Sequence, residues 1–474
     1  MKSYTAFSLL CLFFLIQACP LAPSNQTVDS SSAEVNYRKY CADCHGKYLE
    51  EFVDRTWLYG NSQEAVFSSI KYGNDEDGMP AYDTTFTDEE IYELTDFILN
   101  DAARIAQNKP ENATLSDLIQ SEDLAFRLDT LVRGLDIPWG LELLPNGDVL
   151  ITERSGKLLL WTANKGKGQT VDDLQEISGL PAIKARGQGG LLDIKLHPNY
   201  AENAWLYLSF SKPSSTNSRA LTTAVIRAKL DNYQLVNLTE IFVAEPYVTS
   251  SHHFGSRLEF DEQGYLYVSV GDRGRRDDYP QTLDNQCGKI HRIKDDGTIP
   301  SDNPFVNHPT ASPSIWSYGH RNPQGLARHP QTGDIWEHEH GPRGGDEINR
   351  IEKALNYGWP IISYGINYSG TRFTKITEKE GMEQPILHWT PSIAPCGMDF
   401  VNHEKYGAWN GDILSGSLKF EYVNRSVMDG NKVIREEKIL EGIGRVRVIK
   451  MGTDRYIYIG VEAPGAIYKL LPDT

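Results

Sequence analysis

Cys41 and Cys44 stand three apart in the stretch NYRKYCADCHGK, and His45 follows directly. C-x-x-C-H is the signature of covalent c-type haem attachment. The two thiols add to the vinyl groups of the porphyrin, and the adjacent histidine is carried beneath the iron as an axial ligand. One short turn must reach both vinyls and the metal together, which is why the spacing is tight. C-x-x-C alone also suits a redox dithiol or half of a zinc site. No second C-x-x-C completes a zinc site, and no βαβ pattern precedes the pair as in thioredoxin-type chemistry.

A haem iron held by one histidine needs a sixth ligand. Met79 lies in NDEDGMPAYDTTFTDEE, among polar residues rather than on an apolar helix face. Gly-Met-Pro in an irregular loop before a final helix is where small c-type cytochromes keep their methionine, and residues 35–105 resemble a class I-like cytochrome c. Met/His ligation raises the reduction potential and suits electron transfer. A domain this small has no room for a substrate pocket, so another part of the chain must supply the electrons.

The elements that carry these residues are helical. Apolar residues recur at helical spacing from Glu34 to about Asn108, and EEIYELTDFILNDAARIA is the best helix. Thr87 is its expected N-cap, with Glu90 three residues on. Ahead of them, Met1-Lys2 and the apolar run AFSLLCLFFLI form a leader too short to span a bilayer. LIQAC resembles a bacterial lipobox, with Cys19 as the residue to be lipidated; cleavage by the ordinary signal peptidase is the alternative. Either route exports the chain to the periplasmic side, held at a membrane only through a lipid. The division expected is a leader at 1–19, a Ser/Pro-rich tether at 20–33, a cytochrome c domain at 34–108, a polar linker at 109–125 and a second domain at 126–474. Of the six cysteines only Cys287 and Cys396 remain. A disulfide between them is possible in an exported protein, but two buried inert thiols are the expected arrangement.

Beyond Phe126 the periodicity changes. Six units recur, each an apolar strand, a turn with Gly or Asn, and a strand alternating with aromatics: LELLPNGDVLITERSGKLLLW, DIKLHPNYAENAWLYLSFS, RLEFDEQGYLYVSVGDRG, GLARHPQTGDIWEHEHG, MDFVNHEKYGAWNGDILSG and RVIKMGTDRYIYIGVEAPGAIYKLL. Their regular spacing predicts an all-β six-bladed propeller rather than a β-sandwich. The formal charge of −17 disfavours a phosphate backbone as partner and excludes nucleic acid. A neutral small molecule is compatible with it.

Motifs spread along this second domain occur in order: DIPWGLELLPNGDVLITERSGKL, GQGGLLDIKLHP, HHFGSRLEF with VSVGDRG, GHRNPQGLA, EHGPRGGDEINRI with NYGWP, WTPSIAP, GSLK and GRVRVI. Together they resemble the soluble-type PQQ-dependent sugar dehydrogenases, in the aldose sugar dehydrogenase branch, over about residues 126–472. The resemblance implies a six-bladed propeller that oxidises an aldose to its lactone. PQQ is an ortho-quinone that takes hydride from the anomeric carbon once a base removes the hydroxyl proton. On the family's motifs the base is His253, Asp272 orients it, and Arg321 stabilises charge on the quinone oxygen. The three carboxylates of PQQ would meet Lys419, Arg445 and Arg447, with Asn322, Ser392 and Gln188 at neighbouring positions. Two arginines two apart on a strand share a face.

The resemblance also implies calcium twice. One ion, beside the quinone, takes the backbone carbonyls of Gly341 and Pro342; a structural ion takes Glu347 and the backbone of Tyr357. The chain departs from the family pattern at His252, where some members carry an acid, at Phe254 in place of Asn and at Ser256 in place of Gly. These changes reshape the pocket mouth and bear on sugar preference rather than on the reaction. The expected sequence of events passes electrons from PQQ to the haem and on to an external acceptor. The motifs specify neither the sugar nor an oligomeric state. The rival readings are a quinoprotein acting on other alcohols or polyols, and a non-enzymatic glycan-binding propeller with a redox haem.

Overall fold

The computed structural model describes residues 31–46, 49, 52, 57–107 and 118–473. The leader at 1–19 with Cys19, most of the tether, residues 109–117 of the linker and the Cys44 side chain lie outside the described residues.

Among the described residues, the front of the chain holds the α-helices α1 (Ser32–Tyr40), α2 (Ala42–His45), α3 (Gln63–Tyr72) and α4 (Asp88–Gln107). Ser31 caps α1 by accepting the Glu34 N–H, so this helix starts inside the stretch read as tether. Thr87 and Glu90 form the expected reciprocal cap of α4, with bonds of 2.9 and 3.2 Å. The apolar faces meet around buried Tyr37, Val66, Ile70, Ile91, Leu94 and Phe97.

The rest is a six-bladed propeller of six sheets, antiparallel but for the short strand Gln169–Thr170, which pairs parallel with Ala125–Arg133. The sheets begin at Pro138, Leu191, Leu258, Pro323, Pro395 and Val446. The innermost strands run around the axis against one another. Each pair of neighbouring blades encloses its own apolar layer; Tyr207, Phe242, Phe260 and Val268 fill the one between the second and third blades. The sixth blade is closed from the other end of the chain. Ala125–Arg133 pairs antiparallel with Ala466–Pro472, Phe126 opposite Pro472. The short strand Ile119–Gln120, within the expected linker, then covers its edge. Cys287 and Cys396 are buried and unbridged, as expected. No helix among the described residues is long and apolar enough to cross a membrane.

In an antiparallel blade the start of the innermost strand and the end of the second strand lie at the same end of the sheet. That rule gathers the sequence candidates. Gln188, His253, Arg321, Asn322 and Ser392 precede innermost strands, and Arg445 and Arg447 flank the start of one. Asp272, Gly341, Pro342 and Lys419 follow second strands. All face one mouth.

Candidate active site

A cavity of about 1120 Å³ opens at that mouth. Its floor holds His253, Asp272, Arg321, Asn322, Lys419 and the Arg445/Arg447 pair; its roof is the cytochrome c domain, with Tyr40, Cys41, His45 and Met79. The propeller residues and Cys41, His45 and Met79 therefore border one space.

His253 has a left-handed backbone, φ 55°. Its N–H donates to Gln188 Oε1 at 2.7 Å, which pins the loop. Gly271 is required beside it, because a Cβ there would collide with the His253 carbonyl. His253 Nδ1 meets Asp272 Oδ1 at 2.7 Å, and Asp272 Oδ2 accepts the Trp359 Nε1–H at 2.8 Å. Burial and then the Arg321 charge push the imidazole pKa down, against the pull of Asp272. Asp272 is buried, which alone would raise its carboxyl; His253 and Arg321 instead hold it well below the usual range. An ionised Asp272 requires the proton on Nδ1, and Nε2 is then the basic nitrogen.

Arg321 lies beside this pair. Its Nη1 donates to the carbonyls of His340 and Gly341 at 2.9 and 2.8 Å, and the guanidinium lies 5.3 Å from the Trp359 ring centre. The Gly341 carbonyl named as a calcium ligand is thus already engaged by Arg321, with a second lone pair remaining. Asn322 accepts the Gly255 N–H at 3.2 Å and Ser392 donates to Asp346 at 2.7 Å. Burial pushes the Asp346 carboxyl up to about 6.

Arg445 and Arg447 do share a target, but it is Glu462, whose oxygens accept their Nε–H groups at 2.9 and 2.7 Å. Glu462 is 7% exposed and is kept ionised by the two cations. Sequence reasoning missed it. The signal was two arginines on one strand face, which need a counter-charge on the neighbouring strand, where VEAPG supplies the acid.

Glu347 and Tyr357 lie at a second, deeper cluster. Glu339 pairs directly across the strands from Glu347, and Glu337 lies on the same face. Burial, then the charge on Glu339, pushes the carboxyls of Glu337 and Glu347 up. Ligand atoms of His320, Glu337 and Glu339 lie within 4.8 Å of one another. Glu337 Oε2 and His320 Nδ1 are buried without a hydrogen-bond partner among the described residues. Tyr357 stacks on His320, ring centres 4.6 Å apart. Oxygen-rich, crowded and under-satisfied, the cluster fits a hard divalent cation.

In the cytochrome c domain Cys41, His45 and Met79 line the same cavity. The Tyr37 hydroxyl donates to the Gly46 carbonyl at 2.8 Å and holds the end of α2. Met79 is fixed by a two-way backbone pairing with Asn74, 2.7 and 3.1 Å. A thiol, an imidazole and a thioether around one space fit a c-type haem.

The comparisons with known proteins agree with this geometry. Residues 135–469 match the family described as glucose/sorbosone dehydrogenase. The chain belongs to that family. Residues 29–98 separately match the family described as cytochrome c oxidase, cbb3-type, subunit III. Aldose sugar dehydrogenase YliI of Escherichia coli is 38% identical over 363 residues, 76% of this chain and 96% of the relative. The apo crystal structure of the E. coli soluble aldose sugar dehydrogenase superposes with TM-score 0.69 at 39% identity, covering 73% of this chain and all of that one. The PQQ-bound aldose sugar dehydrogenase of Streptomyces coelicolor gives 0.60 at 27% identity, covering 73% and 98%. The glucose/sorbosone dehydrogenase fold accounts for the propeller, and the cytochrome c domain is an addition in front of it.

Proposed function

We propose that the protein oxidises aldose sugars to lactones with PQQ and calcium, and that the electrons pass to the c-type haem on its own chain and then to an external acceptor. The observation that carries this reading is the single cavity shared by His253, Asp272 and Arg321 with Cys41, His45 and Met79. Bound PQQ supplies an ortho-quinone able to accept hydride. His253, neutral and locked by Asp272, takes the anomeric hydroxyl proton on Nε2. Gln188 holds the base in place through its backbone N–H. Arg321 sets a buried positive charge where the quinone oxygen gains electron density. Lys419, Arg445 and Arg447 answer the cofactor's carboxylates, with Asn322 and Ser392 alongside.

Gly341 and Pro342 would present carbonyls to a calcium beside the quinone. Glu347 and Tyr357 would hold a second ion, with Glu337 and Glu339 widening the donor set. Haem attachment at Cys41 and Cys44 with ligands His45 and Met79 makes the domain a one-electron relay. The apolar leader with Cys19 supports export to the periplasmic side and a lipid anchor.

The test is to load the protein with PQQ and calcium and add a panel of aldoses while recording the haem spectrum. Reduction of the ferric haem with lactone formation is expected. Reduction of an artificial dye without the haem would remove the internal relay, and reduction of neither would remove the reading.

A further inference from the structure

The loop that carries Met79 is seated on the propeller through two acidic residues. Asp77 Oδ1 accepts the Ser251 hydroxyl at 2.6 Å and the Arg186 Nε–H at 3.2 Å, and Tyr59 closes on its other oxygen. Burial alone would raise the Asp77 carboxyl; the Ser251 and Tyr59 bonds and the Arg186 charge bring it below its usual value. Arg186 is itself fixed by the propeller backbone, through the carbonyls of Arg219 and Thr249. Glu76 pairs with Arg219, and its carbonyl accepts the Ser251 N–H at 2.6 Å. Across the mouth, the Arg343 guanidinium lies 4.9 Å from the Tyr40 ring centre. Acid on the haem side meets base on the propeller side, the pattern of a register-fixing interface.

Between these pairs, Gly78 faces His252. A Cβ at Gly78 would lie 3.2 Å from the imidazole Cγ and Nδ1, and φ there is +79°, so glycine alone suits both the backbone and the approach. The His252 ring in turn stands edge-on to His253, centres 4.5 Å apart. His253, His252, Gly78 and Met79 therefore follow one another in direct contact or bonded sequence from the base to the proposed iron ligand.

We infer that residues 76–79 form a docked electron port. Glu76 and Asp77 clamp the loop, and His252 is the positioning residue that sets its approach to the reacting base. The inference rests on the function proposed above. Each aldose oxidised to lactone releases two electrons and two protons. The hydroxyl proton leaves to solvent by way of His253, and the second proton, carried with the hydride, would be released from the cofactor as its two electrons depart. The electrons cross the seam singly, each reducing ferric iron to ferrous, and an external one-electron oxidant takes each in turn.

The test uses the full chain loaded with PQQ and calcium. In Asp77→Ala and in Arg219→Glu, aldose-driven haem reduction is expected to slow at least about tenfold, the factor a lost charge-assisted hydrogen bond takes from a docking equilibrium. Turnover with a dye that draws directly on the propeller should be unchanged, and so should the ferric haem spectrum, which reports an intact domain. Hydrogen exchange at the Ser251 amide should accelerate, and the swap Glu76→Arg with Arg219→Glu should restore both readouts. An unprotected Ser251 amide in the unmodified protein, or full-speed haem reduction in a variant whose Ser251 exchanges freely, overturns the port. Should no aldose reduce dye or haem, the proposed function fails, and the Ser251 exchange still decides the docking.

Discussion

Asp272 holds His253 with one carboxylate oxygen and Trp359 with the other, at 2.7 and 2.8 Å. The imidazole is fixed in orientation and tautomer by a group that cannot itself rotate. His253→Gln keeps the volume but removes the basic nitrogen. Aldose turnover is expected to fall by about 10²–10⁴, with PQQ affinity retained. Dye-linked turnover beside an equilibrium PQQ titration checks both.

The proposed base, His253, would work in its neutral form, and burial with Arg321 pushes its pKa down. The acid limb of kcat/KM is therefore expected below the ordinary histidine value of about 6.5. Asp272 pulls that pKa up, so Asp272→Asn should move the limb further to acid while lowering the maximal rate. A limb moving toward neutral pH would contradict the pairing.

The propeller was legible because each hairpin carries its turn residues and aromatic alternation locally. The outer strands were not: Lys432–Ile439 is rich in charge and largely exposed, so it lacks the apolar alternation that marks its neighbours. Nor could periodicity show that Ala125–Arg133 belongs to the last blade, because that pairing is set by ring closure over the length of the domain. In the site, His253, Asp272 and Arg321 were legible only through ordered motifs; singly, each reads as an ordinary loop residue. Trp359 and Asp346 act as partners of other side chains and carry no spacing signal. The alternation Glu337, Glu339 did carry one, since acids two apart on a strand face the same way.

Arg447 donates to Glu462 and, in the proposed function, also to a carboxylate of the cofactor. Arg447→Met leaves Glu462 with Arg445 alone and is expected to cost about 3 kcal/mol of stability as well as quinone affinity. Adding Glu462→Gln should recover most of the stability and none of the affinity. Denaturant unfolding and a PQQ titration on the same samples separate the two effects.

Chelation of calcium should lower the melting temperature, because Glu337, Glu339 and Glu347 are then left facing one another. Glu337→Gln should raise the melting temperature of the chelated protein by relieving the cost of a buried carboxyl beside Glu339, and should shrink the gain on adding calcium back. Equal calcium responses in the two proteins would place the ion elsewhere.

Met79 is the proposed sixth ligand and takes no part in the proposed attachment. Met79→Ala is expected to keep haem on the chain while lowering its reduction potential, so that haem reduction by aldose becomes incomplete. A spectroelectrochemical titration gives the potential directly, and an unchanged value would assign the sixth position to another residue.

Phe126 lies opposite Pro472 in the closing blade. During synthesis the ribosome releases the first partner long before the second exists, so the floor of the pocket cannot be completed until Pro472 has emerged. The helical front needs none of those later residues for its own core. Maturation thus has a built-in order, in which the helical part can be finished while the ring behind it still stands open.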